Sequence, residues 1–315
     1  MPNVAIVGAG LIGRAWAAIF ARAGWEVALW DPVDTQRAAA AEQIGALLDD
    51  MARNGLASDP AAAARRLRLA SSLADAVATA DFVQENGPEL LETKRALFGA
   101  IDAIARPGVV LASSTSAIVA SQFTEHLAGR ARCLVGHPVN PPHLVPVVEI
   151  CGAPWTSEAA KTRARDVYAG IGQVPIAVNK EIDGFILNRL QAALLSEAFR
   201  LVQEGYVSPQ DLDHTVANGL GLRWSFMGPF ATIELNAPEG IADYCRRYAP
   251  FFRRTVADQP KQSVWDEAAI QSVADAWGPT PTATSVAAKS KWRDGRLAQL
   301  AVHMRDQPRI EPVKS

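Results

Sequence analysis

Short apolar runs recur along the first half of the chain, each followed by a turn and then by a longer stretch with helical spacing. The first run, Asn3-Val4-Ala5-Ile6-Val7, leads into Gly8-Ala9-Gly10-Leu11-Ile12-Gly13, a helical stretch to Ala23, a stop at Gly24, and a second run ending at Trp30-Asp31. The stretch 35–54 sets Ile44, Leu47, Leu48 and Met51 on one face of a helix that Gly55 ends. Further strands are predicted at 67–69, 81–85, 109–112, 133–136, 147–150 and 174–178, with helices at 61–66, 73–78, 89–105 and 157–170. Strands alternating with helices predict a doubly wound, Rossmann-type, mostly parallel α/β sheet covered on both faces.

The pattern changes near Asp183. Beyond it the spacing predicts helices over 185–204, from Pro209, and over 237–248, 264–277 and 283–304, with 307–315 a frayed tail. The expected division is therefore a dinucleotide-binding domain over 1–182 and an all-helical substrate and dimerisation domain over 183–315, joined at 180–183.

Composition narrows the class. The chain has 315 residues, 49% of them hydrophobic and 20% charged, with a formal charge of −2. That balance describes a soluble globular protein and asks for neither nucleic acid nor an anionic membrane as partner. The most apolar long segment, 184–202, is interrupted by Arg189, Glu197 and Arg200, so it reads as a buried helix and not a membrane span. Cys133, Cys151 and Cys245 are too few and too scattered for a disulfide framework or a metal site. Their odd number suits a reducing compartment, and the absence of a basic, cleavable leader makes the cytoplasm the expected location.

The glycine turn carries the first chemistry. G-x-G-x-x-G directly after a strand and opening a helix, with Asp31 placed 18 residues past Gly13, predicts a dinucleotide site. Gly8 would permit the tight turn, Gly10 the approach of a pyrophosphate, and Gly13 close packing of helix on strand. The amides of Leu11 and Ile12 would face the phosphates at the helix start. A carboxylate at Asp31 would accept hydrogen bonds from ribose hydroxyls and repel a 2′-phosphate, so NAD is expected rather than NADP. The other reading is a structural turn followed by a surface acid.

The second candidate is Gly136-His137-Pro138-Val139-Asn140-Pro141-Pro142, followed by Val147-Val148-Glu149. His137 ends a predicted strand at the carboxyl edge, where open parallel sheets bind ligands, and Glu149 follows 12 residues later in a strand that could return beside it. A histidine held by a carboxylate suits hydride-transfer chemistry: the imidazole takes a hydroxyl proton while the acid fixes the tautomer and stabilises the imidazolium. A core histidine bonded to a backbone carbonyl, with Glu149 a solvated edge charge, fits the spacing equally well.

These segments together with Pro88-Glu89-Leu90-Leu91-Glu92-Thr93-Lys94, Ala112-Ser113-Ser114-Thr115-Ser116 and Asp183-Gly184-Phe185-Ile186-Leu187-Asn188-Arg189 resemble the 3-hydroxyacyl-CoA dehydrogenase family over nearly the whole chain. The resemblance is strongest to its lambda-crystallin and L-gulonate 3-dehydrogenase branch, through the 137–142 segment, Lys180-Glu181-Ile182-Asp183-Gly184, Asn188-Arg189-Leu190-Gln191 and Gly219-Leu220-Gly221. It implies His137 as base, Glu149 as its partner, Ser116 and Asn188 as hydrogen-bonders to the substrate oxygen or the histidine, and Glu89 and Lys94 near the nicotinamide. It also implies a homodimer formed through the helical domain, and L-gulonate oxidised at C3 as the reaction. Close alternatives are a 3-hydroxyacyl-CoA or carnitine dehydrogenase, and a non-catalytic crystallin-like protein.

The residues by themselves leave plainer roles open. Ser113, Ser114 and Ser116 also fit a turn, Asn188 a helix start, and Glu89 and Lys94 a solvated helix face. Family members acting on acyl-CoA tend to carry a lysine three positions before the acid, where this chain has Pro146. In the helical half, Arg223, beside Trp224, offers either a bidentate fork for a substrate carboxylate or a plain surface charge.

Overall fold

The computed structural model describes residues 1–257 and 265–307, so the helix start expected at 264 and all but the first residue of the tail expected at 307–315 lie outside the described residues. Eight strands form one sheet: β1 (Asn3–Val7), β2 (Glu26–Trp30), β3 (Leu67–Leu69), β4 (Phe82–Glu85), β5 (Val110–Ser113), β6 (Cys133–Pro138), β7 (Val147–Gly152) and β8 (Val174–Val178). Their spatial order is β3-β2-β1-β4-β5-β6-β7-β8. The first six run parallel; β7 turns back antiparallel to β6, and β8 runs parallel to β7. The chain winds outward from β1 through β2 and β3, then returns to place β4 on the other side of β1. That reversal opens a crevice at the carboxyl ends of β1 and β4, the position where such sheets bind ligands.

The helices of this region are α1 (Leu11–Arg22), α2 (Asp34–Arg53), α3 (Pro60–Arg65), α4 (Leu73–Val77), α5 (Leu91–Ile104), α6 (Ala120–Thr124) and α7 (Glu158–Gly170). α6 is too short to carry a periodic signal. Strands covered on both faces must be apolar on both, which is why β1 and β5 read as runs without alternation. Trp16, Phe20, Phe82 and Tyr168 pack in one core layer, and Val83, Phe98, Leu111 and Phe123 in the other. Phe20 meets Trp25 edge-on with centroids 5.1 Å apart. Truncating so enclosed a ring costs about 3–5 kcal/mol.

Beyond Asp183 the described residues contain no strand. They form α8 (Leu187–Gln203), α9 (Pro209–Thr215), a π-helical turn (Val216–Leu220), α10 (Gly221–Trp224), α11 (Pro229–Glu234), α12 (Gly240–Ala257), α13 (Glu267–Trp277) and α14 (Ala283–Asp306). The periodicity places the end of α12 at 248, yet the helix continues through Pro250. Proline removes one backbone bond there. Aromatic contacts span the break: the Phe252 ring lies 6.5 Å from that of Tyr248 and 6.2 Å from that of Tyr244.

By contact clustering the chain forms two compact units, Met1–Leu187 with Lys289–Ser315, and Asn188–Ala288. The expected boundary kept 183–315 together, whereas residues from 289 on group with the sheet. Arg305 Nη1, for example, donates to the Gly55 carbonyl at 2.9 Å. Helical spacing reveals that a face is apolar but not what covers it. Among the described residues no helix is long and apolar enough to cross a membrane.

Candidate active site

β6 and β7 pair with His137 directly opposite Glu149. The antiparallel return turns a separation of 12 residues into a cross-strand contact, with His137 Nδ1 2.9 Å from Glu149 Oε2. Both side chains are buried, at 4% and 1% exposure. Burial alone would raise the Glu149 pKa. The hydrogen bond from His137 and those from the backbone amides of Leu187 and Ile186 outweigh it, holding the carboxyl below its ordinary value. Those amides donate to Oε1 at 2.8 Å from Ile186 and 3.0 Å from Leu187. The segment reaches this position through Gly184 and Phe185, both at positive φ, and the Phe185 ring lies 5.3 Å from that of His137. An ionised Glu149 requires the hydrogen on Nδ1, which leaves Nε2 as the basic atom. Such an imidazole can accept a proton from an alcohol.

At the crevice, Gly8 adopts φ 103°, and a Cβ there would stand 2.7 Å from the Asn86 carbonyl oxygen. A Cβ on Gly13 would be 1.9 Å from the Gly8 carbonyl oxygen, so neither position accepts a side chain. Space beside Gly10, by contrast, is open. α1 begins at Leu11 with no side chain capping it and no acid in its first turn, leaving its amides to face an anion. Asp31 is anchored over the turn, its two carboxylate oxygens accepting from the Ala9 amide at 2.7 Å and the Val33 amide at 2.8 Å. Gly8, Gly10, Asp31, Asn86 and Pro88 line a cavity of about 910 Å³. An elongated anionic dinucleotide with a free ribose 2′-hydroxyl fits this donor set.

The family resemblance implies Glu89 and Lys94 as groups near the nicotinamide, with a solvated helix face as the plain alternative. Lys94 is 1% exposed, which removes the solvated reading for it. Its main partner is Glu85, which the sequence reading passed over: Lys94 Nζ lies 3.1 Å from Glu85 Oε2 and 3.7 Å from Glu89 Oε2. Glu85 also accepts from the Ser113 hydroxyl and the Gly87 amide, each at 2.5 Å. The signal available was an acid closing an apolar strand, where no solvent awaits it. Glu89 gathers the turn after β5, accepting from the Thr115 hydroxyl and, at 3.0 Å each, from the amides of Ser116 and Ala117. Burial would raise the Glu89 pKa, but these bonds and Lys94 hold it low. Glu89, Lys94 and the Ser116 turn are thus one connected cluster.

A second polar network was also not anticipated. The Ser114 hydroxyl accepts from Trp16 Nε1 at 3.0 Å and Gln84 Nε2 at 2.8 Å, and donates to Asn86 Oδ1 at 2.7 Å. Tyr168 completes it, donating to Gln84 Oε1 at 2.6 Å. Asn86 Nδ2 donates to the carbonyls of Gln84 and Val7, tying β4 to β1 beneath the glycine turn.

Asn188 is the residue after Leu187 on α8 and opens the second unit. Arg223 belongs to the same unit, at the end of the helix that follows the π-helical turn, and is exposed. Among the described residues no cluster of His, Cys, Asp and Glu could hold a metal ion.

Comparison with known proteins gives a consistent picture. The NAD-binding domain profile of 3-hydroxyacyl-CoA dehydrogenase matches residues 3–182, and the C-terminal domain profile of the same enzyme matches 184–270. The chain is 41% identical over 304 residues to lambda-crystallin of Oryctolagus cuniculus, covering 95% of each sequence. It is 37% identical over 294 residues to L-carnitine dehydrogenase of Pseudomonas aeruginosa, covering 93% of this chain and 91% of that one. Among solved structures it superposes on 5-formyl-3-hydroxy-2-methylpyridine 4-carboxylic acid 5-dehydrogenase, an NAD+-dependent dismutase, with a TM-score of 0.85, 26% identity, and 98% and 100% of the two chains covered.

Proposed function

The chain belongs to the 3-hydroxyacyl-CoA dehydrogenase family, and from that premise we propose that it oxidises the C3 hydroxyl of a small polar 3-hydroxy acid, L-gulonate to 3-dehydro-L-gulonate. It is an NAD-dependent dehydrogenase. The observation that carries the mechanism is the buried contact of 2.9 Å between His137 Nδ1 and a Glu149 held ionised by two backbone amides. Bound NAD supplies the hydride acceptor. His137 Nε2 takes the hydroxyl proton from the substrate, and the Glu149 carboxylate stabilises the imidazolium that forms. Ser116, on the turn gathered by Glu89, and Asn188 at the start of α8 act as hydrogen-bonders to the substrate oxygen or to His137. Glu89 and Lys94 shape the nicotinamide end of the cofactor site. Asp31, Gly8, Gly10, Leu11, Ile12 and Gly13 hold the dinucleotide.

Two observations favour a small acid over a thioester. Pro146 stands where acyl-CoA-using members of the family tend to carry a lysine. Arg223 is exposed and makes no side-chain hydrogen bond or ion pair with any other described residue, so its fork is open to a carboxylate. The 37% identity to L-carnitine dehydrogenase supports carnitine, also a 3-hydroxy acid, as the second reading. Equal loss of activity by Arg223→Ala on an acid and on its amide would remove the carboxylate role.

The helical unit is the proposed dimerisation surface, supported by the exposure of Leu222, Phe226, Phe230 and Phe251. A cytoplasmic location is supported by the odd number of cysteines, Cys133, Cys151 and Cys245, all of them free thiols. The deciding experiment is NADH formation with L-gulonate, L-carnitine, 3-hydroxybutyrate and 3-hydroxybutyryl-CoA. The highest kcat/KM is expected on L-gulonate; a preference for the thioester would overturn the substrate, and no turnover with any of them would favour a crystallin-like role.

A further inference from the structure

A second carboxylate, Asp34, opens α2 three residues beyond Asp31. One turn into α2, Arg37 Nη1 donates to the Asp31 main-chain carbonyl at 2.7 Å, and Nη2 donates to Asp34 Oδ1 at 2.6 Å. The neighbouring residue, Gln36, lines the cavity together with Asp31 and Val33. The chain therefore already holds, within one hydrogen bond of its ribose-facing acid, the group that sites for a 2′-phosphate use: a guanidinium. That guanidinium is 22% exposed and engaged, while the acid engaging it is 86% exposed. A carboxylate so exposed gains little stability from pairing at i,i+3, so its removal should leave the fold intact.

We infer that discrimination against NADP rests on two carboxylates, Asp31 and Asp34, and that Arg37 is a latent 2′-phosphate ligand which Asp34 keeps neutralised. The inference deepens the assignment of NAD as cofactor. Asp31 occupies the space and hydrogen bonds of the ribose hydroxyls. Asp34 pairs with a cation that would attract a phosphate there. Removing Asp31 alone leaves Arg37 still paired, so the phosphate gains no partner. Removing both acids turns the site cationic.

The test is calorimetric titration of NAD+ and NADP+ into the parent protein, Asp34→Asn, Asp31→Ser, Asp31→Ser/Asp34→Asn, and the last with Arg37→Gln or Arg37→Lys added; thermal melts confirm that each variant is folded. Asp34→Asn is expected to improve NADP+ binding relative to NAD+ severalfold. The double variant is expected to bind NADP+ about tenfold more tightly than Asp31→Ser does, the scale of one charge-assisted hydrogen bond. Arg37→Gln should abolish that gain and Arg37→Lys should keep part of it. NADP+ binding that is the same in Asp31→Ser and the double variant, or a gain that survives Arg37→Gln, would overturn the inference. A parent that bound NADP+ as tightly as NAD+ would overturn the cofactor assignment as well, so the two failures are distinct.

Discussion

The two compact units treat their large side chains in opposite ways. In the first, Trp16, Phe20, Phe82, Phe98, Phe123 and Tyr168 are all buried around the sheet. In the second, the only hydrophobic residues buried among those described are Ala237 and Ala269, while Leu222, Phe226, Phe230 and Leu235 are each more than 60% exposed. The sheet unit completes its own core and can afford buried polar machinery; the helical unit carries an apolar surface that calls for cover. The proposed dimerisation through the helical unit rests on that difference in burial.

The comparison can be broken first at the dyad. His137→Asn is expected to lower kcat by about 100- to 10,000-fold while leaving the Kd for NAD nearly unchanged, since the base acts in chemistry and the glycine turn in binding. Steady-state kinetics beside calorimetry reads both quantities, and near-normal turnover would remove His137 as base.

The buried cluster of the sheet unit gives the next effect. Lys94→Met leaves the Glu85 carboxylate enclosed without its cation and should cost about 3–5 kcal/mol of stability in denaturant unfolding. Adding Glu85→Gln should recover part of that loss. A variant as stable as the parent would show that the Lys94–Glu85 contact does not hold the cluster together.

His143 probes the same unit through pH. Burial first, opposed by Asp294 and Asp50 and aided by Arg22 and Arg293, pushes its pKa down to about 4, and its Nδ1 has no hydrogen-bond partner among the described residues. The unfolded chain therefore takes up this proton more readily than the folded one. Stability from this group is complete above the ordinary value of 6.5 and is lost as pH falls from there towards 4. The loss should be on the order of 1–3 kcal/mol. His143→Gln should flatten the stability profile over that interval, and an unchanged profile would show that the imidazole is not enclosed.

The smallest effect is expected on the helical unit. Phe230→Glu should weaken the proposed dimer about tenfold, about 1.4 kcal/mol, in sedimentation equilibrium. An unaltered association would move the interface elsewhere.

How far the sequence reaches differs between the same two regions. The strands were legible because enclosure on both faces demands apolar runs, and His137 with Glu149 was legible because a hairpin-like return converts spacing into register. The partnership of Glu85 with Lys94, and the Ser114 network joining Trp16, Gln84, Asn86 and Tyr168, was not. These contacts bring together strand ends and helices that no local period relates. In the helical half the spacing identified elements but neither the passage of α12 through Pro250 nor the return of residues 289–306 to the sheet unit. Amphipathicity marks a face for burial without naming what buries it.

The central claim is that hydride leaves C3 of a hydroxy acid as His137 takes the hydroxyl proton. The most direct measurement uses L-gulonate carrying deuterium at C3, with mass analysis of the reduced nicotinamide and single-turnover rates. The deuterium is expected in the reduced cofactor, with slower single turnover than for the unlabelled acid. Deuterium retained by the sugar acid or released to water would contradict the claim.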